Sequence, residues 1–165
     1  MPRVHVLERE QRLPGPLDPV FAFFSNAANL DAITPPWVGF RVTVLPKAME
    51  PGARIEYRLR LVGVPIGWRT RIVSWNPPTG FVDLQERGPY ALWEHTHQFE
   101  ADAGGVWMRD VVRYALPLGP LGALAHRIAV RSALQSIFDY RFARIRELFG
   151  NPWPAARLRA EEERR

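Results

Sequence analysis

Apolar and polar residues alternate with a period close to two through the middle of the chain, from residue 39 to residue 116. Such alternation is typical of β-strands that bury one face. Proline and glycine repeatedly interrupt the pattern, and both residues favour turns. With an alternating segment near the N-terminus, the pattern predicts seven strands. They cover Val4–Arg12, Phe40–Leu45, Arg54–Leu61, Gly67–Trp75, Gly80–Arg87, Leu92–Ala101 and Val106–Leu116.

Helical spacing occurs on both sides of the strand-rich region. Asp18-Pro19 is a favourable helix start, and a second short helix is predicted from Ser25 to Ile33, ended by Pro35-Pro36. From Leu121 to Phe149, apolar residues recur at spacings of three and four, which predicts one long amphipathic helix. Residues 151–165 form a charged tail that we expect to be mostly disordered or a frayed helix.

The order of these elements predicts the architecture. Strands joined by short turns favour an antiparallel sheet. A curved sheet leaves its concave face wet unless another element covers it, and the long C-terminal helix is suited to that position. We therefore predict a single α+β domain over residues 1–150. Its seven-stranded antiparallel sheet wraps around the long helix, with two short helices after the first strand and an interior that side chains need not fill.

Composition narrows the class of protein. Of the 165 residues, 47% are hydrophobic and 24% are charged, as in ordinary globular domains. Cysteine is absent, which excludes disulfides and thiolate chemistry. No apolar run approaches the ~20 residues of a membrane span, and the charged N-terminus does not resemble a signal peptide. We expect a cytoplasmic protein, with homodimer formation left open.

The net charge of +5 raises the question of an acidic partner. Arg58, Arg60, Arg69 and Arg71 alternate with inner-face residues, so they are predicted to form a stripe on the outer face. The aromatic residues of these strands point inward, and no stacking platform accompanies the charge. A nucleic-acid partner is therefore not expected, and a solvated face with carboxylate neighbours such as Glu56 is favoured.

Two consecutive strands, joined by the turn signal Ala103-Gly104-Gly105, place titratable side chains among apolar ones. Their predicted inner face presents Trp93, His95, His97, Phe99, Met108, Asp110, Val112 and Tyr114. Antiparallel pairing that keeps both apolar faces on one side sets Asp110 opposite or diagonal to one of the histidines. The buried carboxylate needs a partner, and a histidine is the simplest one.

Three interpretations of this group remain open. His95 and His97 point the same way and could hold a divalent metal if a third ligand such as Asp110 converges. They could instead form a hydrogen-bonded pair that orients a ligand, or a His–Asp general base. We expect no metal and no cofactor, because cysteine is absent and the remaining histidines, His5 and His126, lie on other elements.

Further inner-face residues are candidates for a cavity wall, because bulky amphipathic rings contact ligands well. The orientation of Asp83 is left open, since Val82 and Leu84 on the opposite face compete for burial. Gly88-Pro89-Tyr90 and Pro35-Pro36-Trp37 are loops that could gate a cavity or form stiff turns. The predicted ligand-binding set is Tyr57, Trp68, Thr70, Trp93, His95, His97, Phe99, Met108, Asp110, Val112, Tyr114, Leu134 and Phe138.

Local stretches resemble a known superfamily. They are Pro16-Leu17-Asp18-Pro19-Val20-Phe21-Ala22-Phe23-Phe24, Asn29-Leu30-Asp31-Ala32-Ile33-Thr34-Pro35-Pro36-Trp37 and Trp93-Glu94-His95-Thr96-His97-Gln98-Phe99. With the element order, they resemble the START/Bet v-like helix-grip superfamily (SRPBCC), and in particular its bacterial polyketide cyclase/dehydrase and coenzyme Q-binding branch. The resemblance implies a hydrophobic cavity under the long helix. It implies no reaction, because the superfamily includes carriers, sensors and enzymes.

The favoured function is therefore binding of a hydrophobic or amphipathic small molecule, such as a lipid, an isoprenoid or a polyketide-like aromatic. His95, His97 and Asp110 would fix the polar end of that ligand. The alternative is a cyclase or dehydratase that uses a His–Asp pair as general base, with the same three residues as catalytic candidates. A second alternative is a module that binds an acidic partner through the arginine stripe.

Overall fold

Seven strands form one antiparallel sheet that packs against the C-terminal helix in the computed structural model, which describes residues 2–61 and 63–150. The strand order is β1-β7-β6-β5-β4-β3-β2, so the N-terminal strand closes the meander beside the last one. The predicted α+β fold class is confirmed. The predicted charged tail, 151–165, lies outside the described residues. The strands are β1 Val4–Pro14, β2 Arg41–Val44, β3 Arg54–Leu61, β4 Val64–Asn76, β5 Gly80–Arg87, β6 Leu92–Asp102 and β7 Gly105–Ala115.

The segment after β1 differs from the sequence prediction in its second half. Helix α1 spans Leu17–Phe24, but the second short helix is instead a series of 3₁₀ turns at Ala27–Asn29, Asp31–Ile33 and Pro36–Val38. Asn26 Oδ1 accepts a hydrogen bond from the Ala28 amide, which favours a new turn start over continuation of α1. The chain therefore reverses direction in short steps and closes one end of the sheet.

The C-terminal helix is continuous along the chain but not in its hydrogen-bond pattern. Helix α2 spans Gly119–Ala125, a π-helical turn covers His126–Val130, and helix α3 spans Arg131–Phe149. A π turn adds one residue per turn, so the apolar spacing before it loses phase with α3. Leu121, Leu124 and Ile128, which the periodicity placed on the buried face, are therefore exposed. This part of the amphipathic prediction was wrong.

The interior contains two packed clusters of apolar side chains. One lies under α1, where the Phe21 and Phe99 rings meet edge to face at 5.6 Å. The other lies under α3 and contains Val112, Tyr114 and Phe138. Burial of such side chains is the main favourable contribution to folding. The site described below lies where the two clusters meet.

The outer face carries the arginine stripe as predicted, but much of its charge is paired. Arg69 lies 2.7 Å from the Glu56 carboxylate, and Arg71 lies 3.0 Å from Glu86. Arg58 and Arg60 are exposed. The structure thus agrees with a solvated, ion-paired face. In the described part of the chain, no helix has both the length and the hydropathy needed to cross a membrane.

Candidate functional site

Three neighbouring strands bring four titratable side chains together on the concave face of the sheet. In the β5–β6 ladder, Asp83 lies directly opposite His95. In the β6–β7 ladder, His97 lies directly opposite Asp110. Because strand residues two apart share a face, all four side chains point toward the helix. The predicted pairing of Asp110 with one of the histidines is confirmed by this register.

The four side chains form a compact buried group. His97 Nε2 makes a hydrogen bond of 3.2 Å with Asp83 Oδ2, and His97 Nδ1 lies 2.7 Å from Asp110 Oδ1. His95 is placed more loosely, with Nε2 at 3.3 Å from Asp110 Oδ1 and Nδ1 at 3.9 Å from Asp83 Oδ2. The two imidazole centroids are 3.8 Å apart. Each histidine therefore lies between two carboxylates.

Two further residues hold the carboxylates in place. Thr70 Oγ1 donates to Asp83 Oδ1 over 2.9 Å, and Arg141 Nε from α3 lies 3.4 Å from Asp110 Oδ2. Arg141 is mostly buried, with 12% of its side chain exposed. A buried carboxylate must be compensated in charge, and Arg141 supplies that compensation from the opposite wall.

The surroundings shift the pKa values of the two histidines in opposite directions. Burial lowers the pKa of His95, the neighbouring His97 lowers it further, and the carboxylates compensate only in part. Burial also opposes the charge of His97, but its contacts with Asp110 and Asp83 outweigh burial and raise its pKa. The arrangement favours a cationic His97 beside a neutral His95.

Both carboxylates are held in the ionised form. Burial raises the pKa of Asp110, but Arg141 and the histidines outweigh it and bring the pKa well below its usual range. For Asp83, burial again raises the pKa, but the hydrogen bond from His97, the electrostatic influence of the adjacent imidazoles and the hydrogen bond from Thr70 outweigh it and bring the pKa below its usual range. Two carboxylates, His97 and Arg141 then give a group without net charge.

A cavity of about 170 Å³ lies between this group and the helix. Asp83, His95 and His97 form part of its wall, together with Arg141. The rest is mainly apolar or aromatic and comes from both core clusters. It includes Ile33, Val38, Ile55, Tyr57, Leu59, Trp68, Tyr90, Trp93, Leu134, Ile137 and Phe138. A largely apolar wall with a few polar groups at one place is typical of small-molecule sites.

Two polar atoms among the aromatic residues of the wall have no hydrogen-bond partner within residues 2–61 and 63–150. They are the indole Nε1 of Trp68 and the hydroxyl of Tyr90, both buried. The Trp68 ring packs edge to face on Trp93 at 5.2 Å, which fixes its orientation. Buried donors without a partner are uncommon in native proteins, and they are often satisfied by a ligand or by ordered water.

The structure divides the predicted ligand-binding set into two groups. Eight members line the cavity, namely Tyr57, Trp68, Thr70, Trp93, His95, His97, Leu134 and Phe138. The others lie in packed surroundings away from that wall. Phe99 and Met108 belong to the cluster under α1, while Val112 and Tyr114 belong to the cluster under α3. Asp110 lies behind the histidines and contacts Arg141.

Asp83, Arg141 and Tyr90 are among the wall residues that the predicted set left out. Asp83 shares the inner face with Phe81. The alternation in β5 was consistent with this orientation, but the apolar residues Val82 and Leu84 on the opposite face made it ambiguous. Arg141 follows Phe138 by three positions, so it lies on the buried face of α3. A charged residue among the apolar positions of this face was the feature of the sequence that could have indicated its role. Tyr90 belongs to a loop that packs inward, because the Gln85 side chain bonds its backbone carbonyl.

Comparison with known proteins identifies the fold and no more. No family model matches the chain, and no curated protein matches it. Among solved structures, TTHA0849 from Thermus thermophilus is 18% identical, with a TM-score of 0.65 over 87% of this chain and 95% of that one. Ara h 8.0201 is also 18% identical, with a TM-score of 0.60 over 87% and 98% of the two chains.

Protein Ms6760 from Mycobacterium smegmatis is a third similar structure. It is 15% identical, with a TM-score of 0.62 over 90% of this chain and 93% of that one. The architecture is therefore that of helix-grip proteins, in which a curved antiparallel sheet encloses a long C-terminal helix. At these identities the likeness concerns the fold alone.

Proposed function

We propose that the protein binds a hydrophobic or amphipathic small molecule in the cavity between the sheet and the C-terminal helix. The observation that carries the proposal is the composition of the wall, which is apolar and aromatic except at the buried His–Asp group. Removal of apolar ligand surface from water would supply most of the affinity, at ~25 cal/mol per Å² before the costs of binding.

The size of the cavity narrows the ligand class. A volume of about 170 Å³ is close to that of an engineered cavity of about 150 Å³ that holds benzene. A compact aromatic ring system therefore suits the site better than a long acyl chain, and a lipid or isoprenoid would need to extend beyond it. His95 and His97 would contact the polar end of the ligand, while Trp68 Nε1 and the Tyr90 hydroxyl offer two further polar contacts.

Ligand extraction and probe uptake test this proposal. Protein purified under native conditions and then denatured should release a lipophilic compound that mass spectrometry detects. Folded protein from which this compound has been removed should take up a fluorescent apolar probe. Ile137→Trp, on the cavity wall, should abolish uptake. Ile128→Trp on the same helix is the matched control, because Ile128 is 72% exposed and lies outside the wall. Equal uptake by both variants would contradict the proposal.

A second candidate is an enzyme of the cyclase or dehydratase type, favoured by one observation. Burial lowers the pKa of His95, which keeps a neutral imidazole on the cavity wall, where it could accept a proton from a bound substrate. His95→Gln should then abolish turnover of an added polyketide-like substrate while probe uptake persists. A binding protein would show no turnover to lose. The cytoplasmic location stays a prediction.

A further inference from the structure

Three side chains of the cavity wall each place one metal-binding atom close to the other two. Asp83 Oδ2 lies 3.2 Å from His97 Nε2 and 3.9 Å from His95 Nδ1. One ligand atom from each residue lies within 4.8 Å of the others. The residues come from two adjacent strands, whose ladder fixes their backbone positions. Only side-chain rotations are needed to change these separations.

The separations are close to those of a metal site. With metal–ligand bonds of about 2.0–2.2 Å and angles near 90–110°, neighbouring ligand atoms lie roughly 3–3.5 Å apart. The contact between Asp83 and His97 already has that separation, and His95 Nδ1 would move toward Asp83 Oδ2 by a few tenths of an ångström to about one ångström. Such a shift lies within the reach of an imidazole ring rotation.

The remaining polar atoms of the three residues face supporting groups. Asp83 Oδ1 accepts from Thr70, so its other oxygen is the one left for a metal. His97 Nδ1 and His95 Nε2 both lie against Asp110 Oδ1, at 2.7 and 3.3 Å. Histidine ligands of metals almost always donate their second ring N–H to such a carboxylate or carbonyl. Asp110 is positioned to serve both histidines.

Some polar atoms of the group are incompletely hydrogen-bonded by the part of the chain that the structure describes. His95 Nε2, His97 Nδ1 and Asp110 Oδ1 are buried and lack, among the described residues, a partner with hydrogen-bond angles, although both nitrogens lie within ion-pair distance of Asp110 Oδ1. Buried polar atoms left in this way need an explanation. Rotation of the two imidazoles toward a shared ion would change the angles at which their opposite nitrogens meet Asp110.

We propose that Asp83, His95 and His97 bind one divalent transition-metal ion on the wall of the cavity. Two imidazoles and one carboxylate suit Fe(II), Co(II), Ni(II) or Zn(II) rather than Mg²⁺ or Ca²⁺, which prefer all-oxygen sites. From the sequence no metal was expected, and Asp110 was named as an example of a third ligand. In the proposed site Asp83 takes that position, and Asp110 lies behind the histidines. Three protein ligands leave coordination positions open toward the cavity.

This proposal does not depend on the apolar-ligand proposal, and Zn²⁺ alone tests it. Untagged, chelator-stripped full-length protein is titrated with Zn²⁺ by calorimetry and by competition with a chromophoric chelator. We expect saturation at one ion per chain. Co²⁺ should give the visible absorption of a nitrogen- and oxygen-ligated site. A lack of saturable binding would overturn the proposal and favour a purely electrostatic group in which His97 stays protonated.

Variants locate the ion. Asp83→Asn keeps the size of the side chain and should weaken Zn²⁺ binding at least tenfold, and Asp110→Asn should weaken it by about 10–100-fold. The control is the double variant His5→Gln/His126→Gln. It removes the other two histidines, whose rings stack at 3.6 Å, and should leave the affinity unchanged. Binding that survives Asp83→Asn but is lost in the control would overturn the proposal.

A measurement on the wild-type protein tests the proposal even if the variants do not fold. Crystals grown with Zn²⁺ and measured at the zinc absorption edge should show one anomalous peak between Asp83, His95 and His97. A peak at His5 and His126, or none at the cavity wall, would overturn the proposal. Probe uptake is a separate readout, so a protein that binds zinc but no apolar probe would contradict only the proposed function.

Discussion

Asp110 and Arg141 join the sheet to the C-terminal helix through a buried ion pair, with 3.4 Å between Asp110 Oδ2 and Arg141 Nε. Each side chain is at most 12% exposed, so water screens the pair little. The same carboxylate faces the two histidines with its other oxygen. Arg141 therefore holds the helix over the site, and its positive charge helps the histidines to compensate the buried carboxylates.

Removing Arg141 should strongly destabilise the protein. Arg141→Leu leaves the Asp110 carboxylate buried without its cation, and breaking a buried pair in this way costs about 3–5 kcal/mol. The double variant Arg141→Leu/Asp110→Asn removes both charges and should be less destabilised than the sum of the single variants. Urea denaturation of the four proteins measures the coupling. Strict additivity would show that the two residues act independently.

The contrast between Asp110 and Asp83 shows what the sequence can predict. Period-two alternation in β6 and β7 is uninterrupted, and the hairpin between them is short, so only a few registers were open and all of them placed Asp110 near a histidine. The β4–β5 ladder instead contains register shifts near Arg69 and Ile72. A bulge changes which residues face the core, and no local sequence signal fixed its position.

The C-terminal helix shows a second limit of sequence reasoning. From Leu134 to Ile145 the buried positions follow ordinary helical spacing and agree with the prediction. Before Arg131 the π turn breaks the phase, and His126 is buried while Ile128 is exposed. The hydrogen bond of 2.8 Å between His126 Nε2 and the Tyr114 hydroxyl is a long-range contact. A contact of this kind joins separate elements, so it cannot be predicted from the periodicity of one helix.

Acidification should destabilise the stacked pair of His5 and His126. Burial lowers the pKa of each ring, and the charges of Arg3 and Arg131 lower it further, while Tyr114 bonds His126 on the remaining side. A histidine with a folded-state pKa below its unfolded value stabilises the protein above about pH 6.5, and that contribution is lost as the pH falls through the folded-state pKa.

The variant His5→Gln isolates this effect from the other titrating groups. The loss of unfolding free energy between pH 7.5 and pH 5, measured with urea, should be smaller in the variant than in wild type. Asp83, His95, His97 and Asp110 titrate in both proteins and so contribute equally to the comparison. An identical pH dependence in the two proteins would show that the stacked rings do not titrate on folding.

Gly80 should not tolerate a side chain, because its backbone lies close to the backbone of His97. A Cβ atom at Gly80 would collide with the backbone oxygen of His97, so β5 or β6 would have to shift. We expect Gly80→Ala to cost about 1–3 kcal/mol. Gly67→Ala is the matched control, because Gly67 also lies in a strand and a Cβ there meets nothing within 4 Å. The control should be neutral or stabilising by about 0.5–1 kcal/mol.

Enlarging Val112 should distinguish the packed core from the cavity. Val112 has 0% exposure and lies in the cluster under α3, away from the cavity wall. Val112→Phe therefore overpacks a filled region, and we expect a loss of about 1–3 kcal/mol with the cavity volume retained. Leu59→Phe is the comparison, since Leu59 is half-buried and lines the cavity, where an added ring has space.

The two variants should give opposite results in two measurements. Urea denaturation should show a clear loss of stability for Val112→Phe and a change below about 1 kcal/mol for Leu59→Phe. Uptake of a fluorescent apolar probe should persist in folded Val112→Phe and fall in Leu59→Phe. Overpacking lowers the free energy of unfolding, whereas filling a cavity lowers the amount of probe that the protein binds. The two variants can therefore differ in this way only if the cavity exists. Equal loss of stability in both variants, with no uptake by wild type, would mean that side chains fill this space.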